Sequence, residues 1–398
     1  MMDIQWLKEA TNDREQISAY RQKLHACAET GFDLPKTTAV VSAALSDLGL
    51  VPQKTGRSGI TATIGNGSPA VILRADMDAL PIREKTGLGF ASKNGNMHTC
   101  GHDIHTAMLL GAAGLLCRHR HALKGCIKLA FQPAEELLEG AADMLANGLL
   151  EGSQSCVALM LHVMSNTGMK TGTIVIPNAG VSAPAADMFR ISVHGKACHG
   201  AMPHTGADPI NAAAHILLAL QSITTREMGL NEAHALTIGS FRAGEASNAI
   251  PDEAVLQGSV RSYDVRTQQF LRKRIEEMTK ATANVFRTAA QVSWLSGCPP
   301  LLNNGDLVEK AKNILPAAIG SERVITADNL HGKSGRSVGS EDFAYISQQI
   351  PSLMLAVAAG GEYPLHHPSL VFDEDVLPYG TAAYAAFAAA VAGEMQPS

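Results

Sequence analysis

Short apolar runs that end in clusters of chemically capable side chains constrain this chain more than any other feature. The run Ala70-Val-Ile-Leu-Arg74 leads to Asp76 and Asp78, and Cys126-Ile-Lys-Leu-Ala-Phe131 leads to Glu135 and Glu136. A third run, over 156–163, carries His162 near its end. A fourth, over 352–358, is followed after a loop by His366 and His367. Runs of this length predict strands buried on both faces. Helical periodicity is expected around them, over 6–28, 37–48, 105–118 and 141–147. Strands alternating with helices predict an α/β domain with a mostly parallel central sheet. In such sheets function gathers at the carboxyl ends of the strands.

The pattern changes near Pro184. Strands are expected over 188–193, 235–240, 254–261 and 289–295, and helices over 208–225 and 267–287. Strand-helix-strand-strand-helix-strand is the order of a split βαβ, ferredoxin-like α+β layer. The chain is therefore expected to hold a catalytic domain of residues 1–184 and 297–398, interrupted by an inserted domain of residues 185–296.

Bulk properties exclude several classes. With 398 residues, 46% of them hydrophobic, the chain can bury large cores. Its net charge is −5, and no basic stretch with interleaved aromatics occurs, so neither nucleic acid nor an anionic membrane is an expected partner. Residues 1–10 hold no apolar core of a secretory signal. The apolar runs 107–117 and 382–392 are shorter than a membrane span. Seven irregularly spaced cysteines suit a reducing cytoplasm better than a disulfide framework.

Each polar cluster has an ordinary reading. Asp103 could cap a helix, Glu135 and Glu136 could be first-turn acids, and a single cysteine is more often core than ligand. His119 and His121, beside Arg118 and Arg120, read as a solvated helix end, and Cys117, Cys126 and Cys156 as core. Asp76 and Asp78 either orient ligands or close a turn. Taken together, a cysteine, histidines and a carboxylate at strand ends are the donors of a divalent metal site. Of two adjacent glutamates, one can bind metal while the other stays free as a base.

Four segments resemble the metal-site motifs of the hippurate hydrolase and indole-acetyl-amino-acid hydrolase family. They are His98-Thr-Cys-Gly-His-Asp-Ile-His105, Gln132-Pro-Ala-Glu-Glu136, Leu161-His-Val163 and Leu365-His-His-Pro368. The resemblance extends over nearly the whole chain, through Arg74-Ala-Asp-Met-Asp-Ala-Leu-Pro81, Gly195-Lys-Ala-Cys-His199, Ser247-Asn-Ala-Ile-Pro251 and Gly339-Ser-Glu-Asp-Phe343. It implies a metallopeptidase-like catalytic domain and an inserted lid and dimerisation domain. Cys100, His102, Glu136, His162 and His366 would hold two divalent ions, zinc or manganese, with cobalt or nickel as alternatives. Glu135 would be the general base, and His199 and Asn248 would stabilise the oxyanion. Arg261 would grip the substrate carboxylate, and Glu341 would lie near the metals or the acyl pocket. The implied substrate is an N-acyl amino acid. The implied assembly is a homodimer, or a tetramer, in which His199 serves the partner subunit.

The chain departs from the family pattern at Ala197-Cys198, where Gly-Gly is usual, and at His367, where Asn is frequent. His366 is favoured over His367 as the last ligand because it directly follows Leu365. A dipeptidase or carboxypeptidase of the same class, a non-catalytic metal-binding protein and a Cys100-nucleophile hydrolase are the alternative readings.

Overall fold

The run that leads to Asp76 forms the strand Pro69–Asp76, buried along its whole length. A strand covered on both faces has no polar side, so its sequence is continuous rather than alternating. The computed structural model describes residues 5–153, 156–329 and 336–394; His331, to which the sequence assigns no role, lies outside them. In it, Cys126–Gln132, Pro69–Asp76, Val157–Met164 and Ser352–Ala358 pair in that order, all parallel. On one side the sheet continues antiparallel through Gly59–Ile64 and Gln53–Thr55. On the other it continues through Ile174–Ile176 and Val324–Thr326, completing eight strands. Four parallel strands deliver four carboxyl ends, at Asp76, Gln132, Met164 and Ala358, to one edge.

This sheet belongs to the larger of two units, formed by Met1–Ser182, Leu302–Arg336 and Asp342–Ser398. Its helices differ from the periodicity reading in three places. The expected helix over 6–28 is two, Trp6–Asn12 and Arg14–Cys27, divided at Asp13. The helix expected from 105 starts at His102, because its first turn buries His102 and Asp103 and so carries no apolar signal. The run 382–392 is part of a longer helix, Val376–Glu394. That helix is long and apolar enough to cross a membrane, but 78% of its apolar window is buried inside the protein. It packs on His102–Arg118 as a core helix.

Tyr384 on this helix reaches between two strands. Its hydroxyl donates to the Arg74 carbonyl at 2.7 Å and accepts from the Leu161 N–H at 2.8 Å. The pairing of Pro69–Asp76 with Val157–Met164 extends only to Arg74 and Met160, so Tyr384 takes over where that ladder stops.

The smaller unit comprises Ala183–Leu301 and Ser337–Glu341. It therefore includes Glu341, which the sequence reading assigned to the interrupted domain. Its sheet runs His234–Ala243, Glu253–Ser262, Ala185–His194, Ala289–Cys298, with every neighbour antiparallel. The helices Pro209–Ser222 and Val265–Val285 pack on the face that holds Phe189, Ile191 and Leu256. This is the expected ferredoxin-like arrangement. Asp208 and Asp264 cap the two helices with their carboxylates.

Tyr384→Phe removes both inter-strand hydrogen bonds and adds nothing. It is expected to lower unfolding free energy by about 1–3 kcal/mol, read from the shift in denaturant midpoint at unchanged slope.

Candidate metal centre

Gly101 separates two prospective ligands and has φ +83°. A side chain there would place its Cβ 2.3 Å from Val163 Cγ2. Only glycine accepts both the left-handed turn and that approach, so Cys100 and His102 leave the turn together at the carboxyl edge of the sheet. Glu135 and Glu136 sit between Ala134 at φ +53° and Leu138 at φ +58°. Those strained residues are held by Asp78, whose two oxygens accept from the backbone N–H of Glu135 at 3.0 Å and of Glu136 at 3.2 Å. His366, itself at φ +67°, is tied by its N–H to the Thr99 carbonyl at 3.2 Å.

These constraints gather two groups of donor atoms, Cys100 with His102 and His162, and Cys100 with Glu136 and His366. Within each group every pair of atoms lies within 4.8 Å. Cys100 Sγ is 3.6 Å from His162 Nε2, and His366 Nε2 is 3.6 Å from Glu136 Oε1. His102 Nδ1 donates to the Asp78 carbonyl at 2.8 Å, which turns Nε2 towards the group. Among the described residues, that Nε2 and Glu136 Oε1 are buried without hydrogen-bond partners. Glu135 Oε2 lies 3.8 Å from the same Nε2.

The electrostatics fit a cation. Burial pushes the Cys100 thiol up. Burial raises Glu136 to about 7, helped by the charges of Asp78 and Asp76 and opposed by His102. Burial lowers His162 to about 4, so it is a neutral imidazole. Donors that lose this much solvation regain it only from a positive charge among them. A thiol held up in this way is also a poor nucleophile, which disfavours the cysteine-hydrolase alternative.

His367 is held elsewhere. Its ring stacks on Tyr363 with centroids 4.1 Å apart, and its Nδ1 accepts from the Ser369 N–H. His105 could be mistaken for a ligand, since Asp76, His102 and His105 also converge. Both of its nitrogens are used: Nδ1 donates to Asp76 Oδ1 at 2.6 Å, and Nε2 accepts from the Val163 N–H at 2.8 Å. Burial lowers it to about 4, consistent with a neutral ring. His105 is thus a strut between Asp76 and the strand that bears His162. Asp76 also accepts from Arg74 Nη1 at 2.7 Å, and Arg74 Nη2 donates to Asp342 at 2.9 Å. The two aspartates therefore orient ligands and their backbone.

Asp103 is no cap; Gly101 occupies that position. Asp103 accepts instead from Arg21 Nε at 2.9 Å and His25 Nδ1 at 2.8 Å, while His25 Nε2 donates to Glu84 at 3.1 Å. The sequence reading left His25 unassigned. Arg21 and His25, four apart on one helix and both buried, were hidden because their carboxylate partners are distant in sequence. His98 is buried and makes no hydrogen bond among the described residues, so it supports no ligand by that route. His119 is not simply solvated, since it pairs with Glu9 and packs on Trp6.

Within the smaller unit, His199 and Asn248 are brought side by side. Ala249 pairs with His199, and the Gly200 N–H donates to the Asn248 carbonyl at 2.7 Å. His199 Nδ1 accepts from the Ala201 N–H, which leaves the proton on Nε2. Arg261 Nη1 donates to Ser340 Oγ at 2.7 Å, and the next residue, Glu341, is buried.

Residues 72–390 match the family described as Peptidase family M20/M25/M40. The chain is 36% identical over 388 residues to an N-acetyl-L-cysteine deacetylase of Bacillus subtilis, covering 94% of this chain and 89% of that protein. It is 35% identical over 379 residues to IAA-amino acid hydrolase ILR1-like 2 of Arabidopsis thaliana, covering 92% and 83%. Among solved structures, a putative aminohydrolase from methicillin-resistant Staphylococcus aureus superposes with TM-score 0.87 at 30% identity, covering 98% and 100%. The Bacillus subtilis YXEP protein, described as a dinuclear metal-binding peptidase from the M20 family, gives TM-score 0.78 at 30% identity, covering 96% and 99%.

Two outcomes are expected. His105→Phe keeps the ring but loses the strut, and should weaken divalent-metal retention by ~10–100-fold, measured by competition with a chromophoric chelator. For His25, burial lowers its pKa, but the Asp103 bond and charge and the Glu84 bond outweigh this and hold it at about 9, above the usual 6.5. Its contribution to stability is full below pH 6.5 and is lost as pH rises through 9. The unfolding midpoint of wild type should fall across that window, and that of His25→Gln should fall less.

Proposed function

Because this chain belongs to peptidase family M20/M25/M40, we propose that it is a metal-dependent amidohydrolase that cleaves the amide bond of N-acyl amino acids. The observation that carries this reading is Glu135. A second carboxylate stands beside two donor groups that share Cys100, is anchored through its N–H by Asp78, and lies next to the ligand-type Glu136. A protein that only binds metal has no use for it. The N-acetyl-L-cysteine deacetylase and IAA-amino acid hydrolase relatives support the substrate class.

Cys100, His102, Glu136, His162 and His366 would hold two divalent ions, as the dinuclear description of the YXEP protein supports. A thiolate with imidazoles favours zinc by softness, and manganese, cobalt or nickel also suit mixed donor sets. When bound, such ions lower the pKa of water and polarise a carbonyl. Glu135 takes the proton from the attacking water and later delivers it to the leaving amine. His199 Nε2–H and the Asn248 side chain donate to the oxyanion, each such donor being worth ~3 kcal/mol. Arg261 holds the carboxylate of the amino-acid portion through charge-assisted hydrogen bonds, and Glu341 borders the acyl side. His199 serves the partner subunit of a homodimer, or of a tetramer built from dimers. No cysteine forms a disulfide among the described residues, which fits a cytoplasmic location.

The test is hydrolysis of a panel of N-acyl amino acids and free dipeptides by wild type and Glu135→Gln, with chelation and metal add-back. N-acyl substrates should be cleaved, activity should need metal, and Glu135→Gln should lose ~10²–10⁴-fold in turnover while retaining metal. Metal binding without cleavage of any amide would overturn the reading. Activity that survives chelation would do the same.

A further inference from the structure

The larger unit contains a second cleft, of ≈ 360 Å³, to which no residue of the metal centre contributes. Arg14, Lys170, Arg323, Asp373, Asp375 and Tyr379 line it. Its unusual member is Arg323, which is only 9% exposed. A buried guanidinium is normally matched by a carboxylate. Arg323 instead stacks over the Tyr379 ring at 4.7 Å and donates to the carbonyl of Thr171. Among the described residues no carboxylate pairs with it, and none pairs with the exposed Lys170.

The other charges are already engaged. Arg14 pairs with Asp375. Asp373 is fixed from both sides, accepting from Thr171 Oγ1 at 2.7 Å and from the Asp375 N–H at 2.9 Å. Setting the Arg14–Asp375 pair aside, the cleft presents two cations and one carboxylate. The complement is a small molecule with two carboxylates and one ammonium. We propose that this cleft is a second binding site, for an acidic α-amino acid. The ligand's carboxylates meet Arg323 and Lys170, and its ammonium meets Asp373. Charge-assisted bonds of this kind are strongest where one partner is already desolvated, as Arg323 is.

The cleft's position gives it a route to the metal centre. Lys170 and Thr171 lie beyond the strand that carries His162, and Gly172 bonds the end of Ser352–Ala358. Asp373 lies beyond the loop that carries His366 and bonds Ala359. Both walls are thus continuous with segments that present prospective ligands, and occupancy of the cleft acts on their placement.

The test is calorimetric titration of the metal-loaded protein with L-glutamate and L-aspartate. L-glutamine, which lacks the second carboxylate, and glutarate, which lacks the ammonium and has no amide bond, serve as comparisons. Saturable binding is expected in wild type and in Glu135→Gln, with both comparison ligands weaker. Lys170→Ala, at an exposed position that folding does not need, should weaken glutamate ~10-fold, the effect of one charge-assisted hydrogen bond. Arg323→Met should weaken it further. Absence of saturable binding at millimolar glutamate overturns the proposal. So does binding that Lys170→Ala leaves unchanged, and so does binding that His366→Ala abolishes, since the ligand would then sit at the metal centre.

Discussion

Desolvation of the donor atoms at the carboxyl edge of the parallel sheet governs the rest of the larger unit. Cys100, His102, Glu135 and Glu136 are packed together with little access to water. Each would be better solvated apart. Burial lowers the imidazole of His162 and opposes charge on His102, which Asp76 nonetheless holds well above its usual range; burial raises the thiol and the Glu136 carboxyl, so these two favour their uncharged forms. A divalent cation reverses that preference, and hydrogen bonds from neighbours keep the groups in place until it does.

The neighbours form a graded support. Asp78 fixes the backbone of both glutamates and, through its carbonyl, the tautomer of His102. Asp76 is held ionised, well below the usual range, by His102, His105 and Arg74 against the cost of its burial. Behind these, Arg21, His25, Glu84 and Asp103 lock the first turn of His102–Arg118 to Arg14–Cys27. The strain at Ala134, Leu138 and His366 is sustained because so many bonds determine the same geometry.

The smaller unit contributes a different kind of architecture. Apart from its four-stranded sheet, a short two-stranded ladder of Cys198–His199 with Ala249–Ile250 carries His199 and sets Asn248 beside it, and the unit gathers a distant piece, Ser337–Glu341, that sets Ser340 against Arg261. Chemistry in the larger unit depends on buried, mutually bonded groups. In the smaller unit His199 and Asn248 are exposed.

Local patterns were sufficient for the main strands of both units, because continuous apolar runs mark doubly covered strands and alternation marks half-covered ones. They also picked out the donor types that the fold brings together, a thiol, imidazoles and paired carboxylates. They were insufficient where a polar residue is buried by a partner far along the chain. Asp103 read as a cap and serves an ion-pair network, His25 read as nothing in particular and is its centre, and the start of His102–Arg118 was missed because its first turn buries polar groups. Where His367 goes, onto Tyr363, and which two groups His105 bonds were likewise decided by packing. Periodicity records only whether a position faces water or core; which partner satisfies a buried polar atom is decided when separate segments meet.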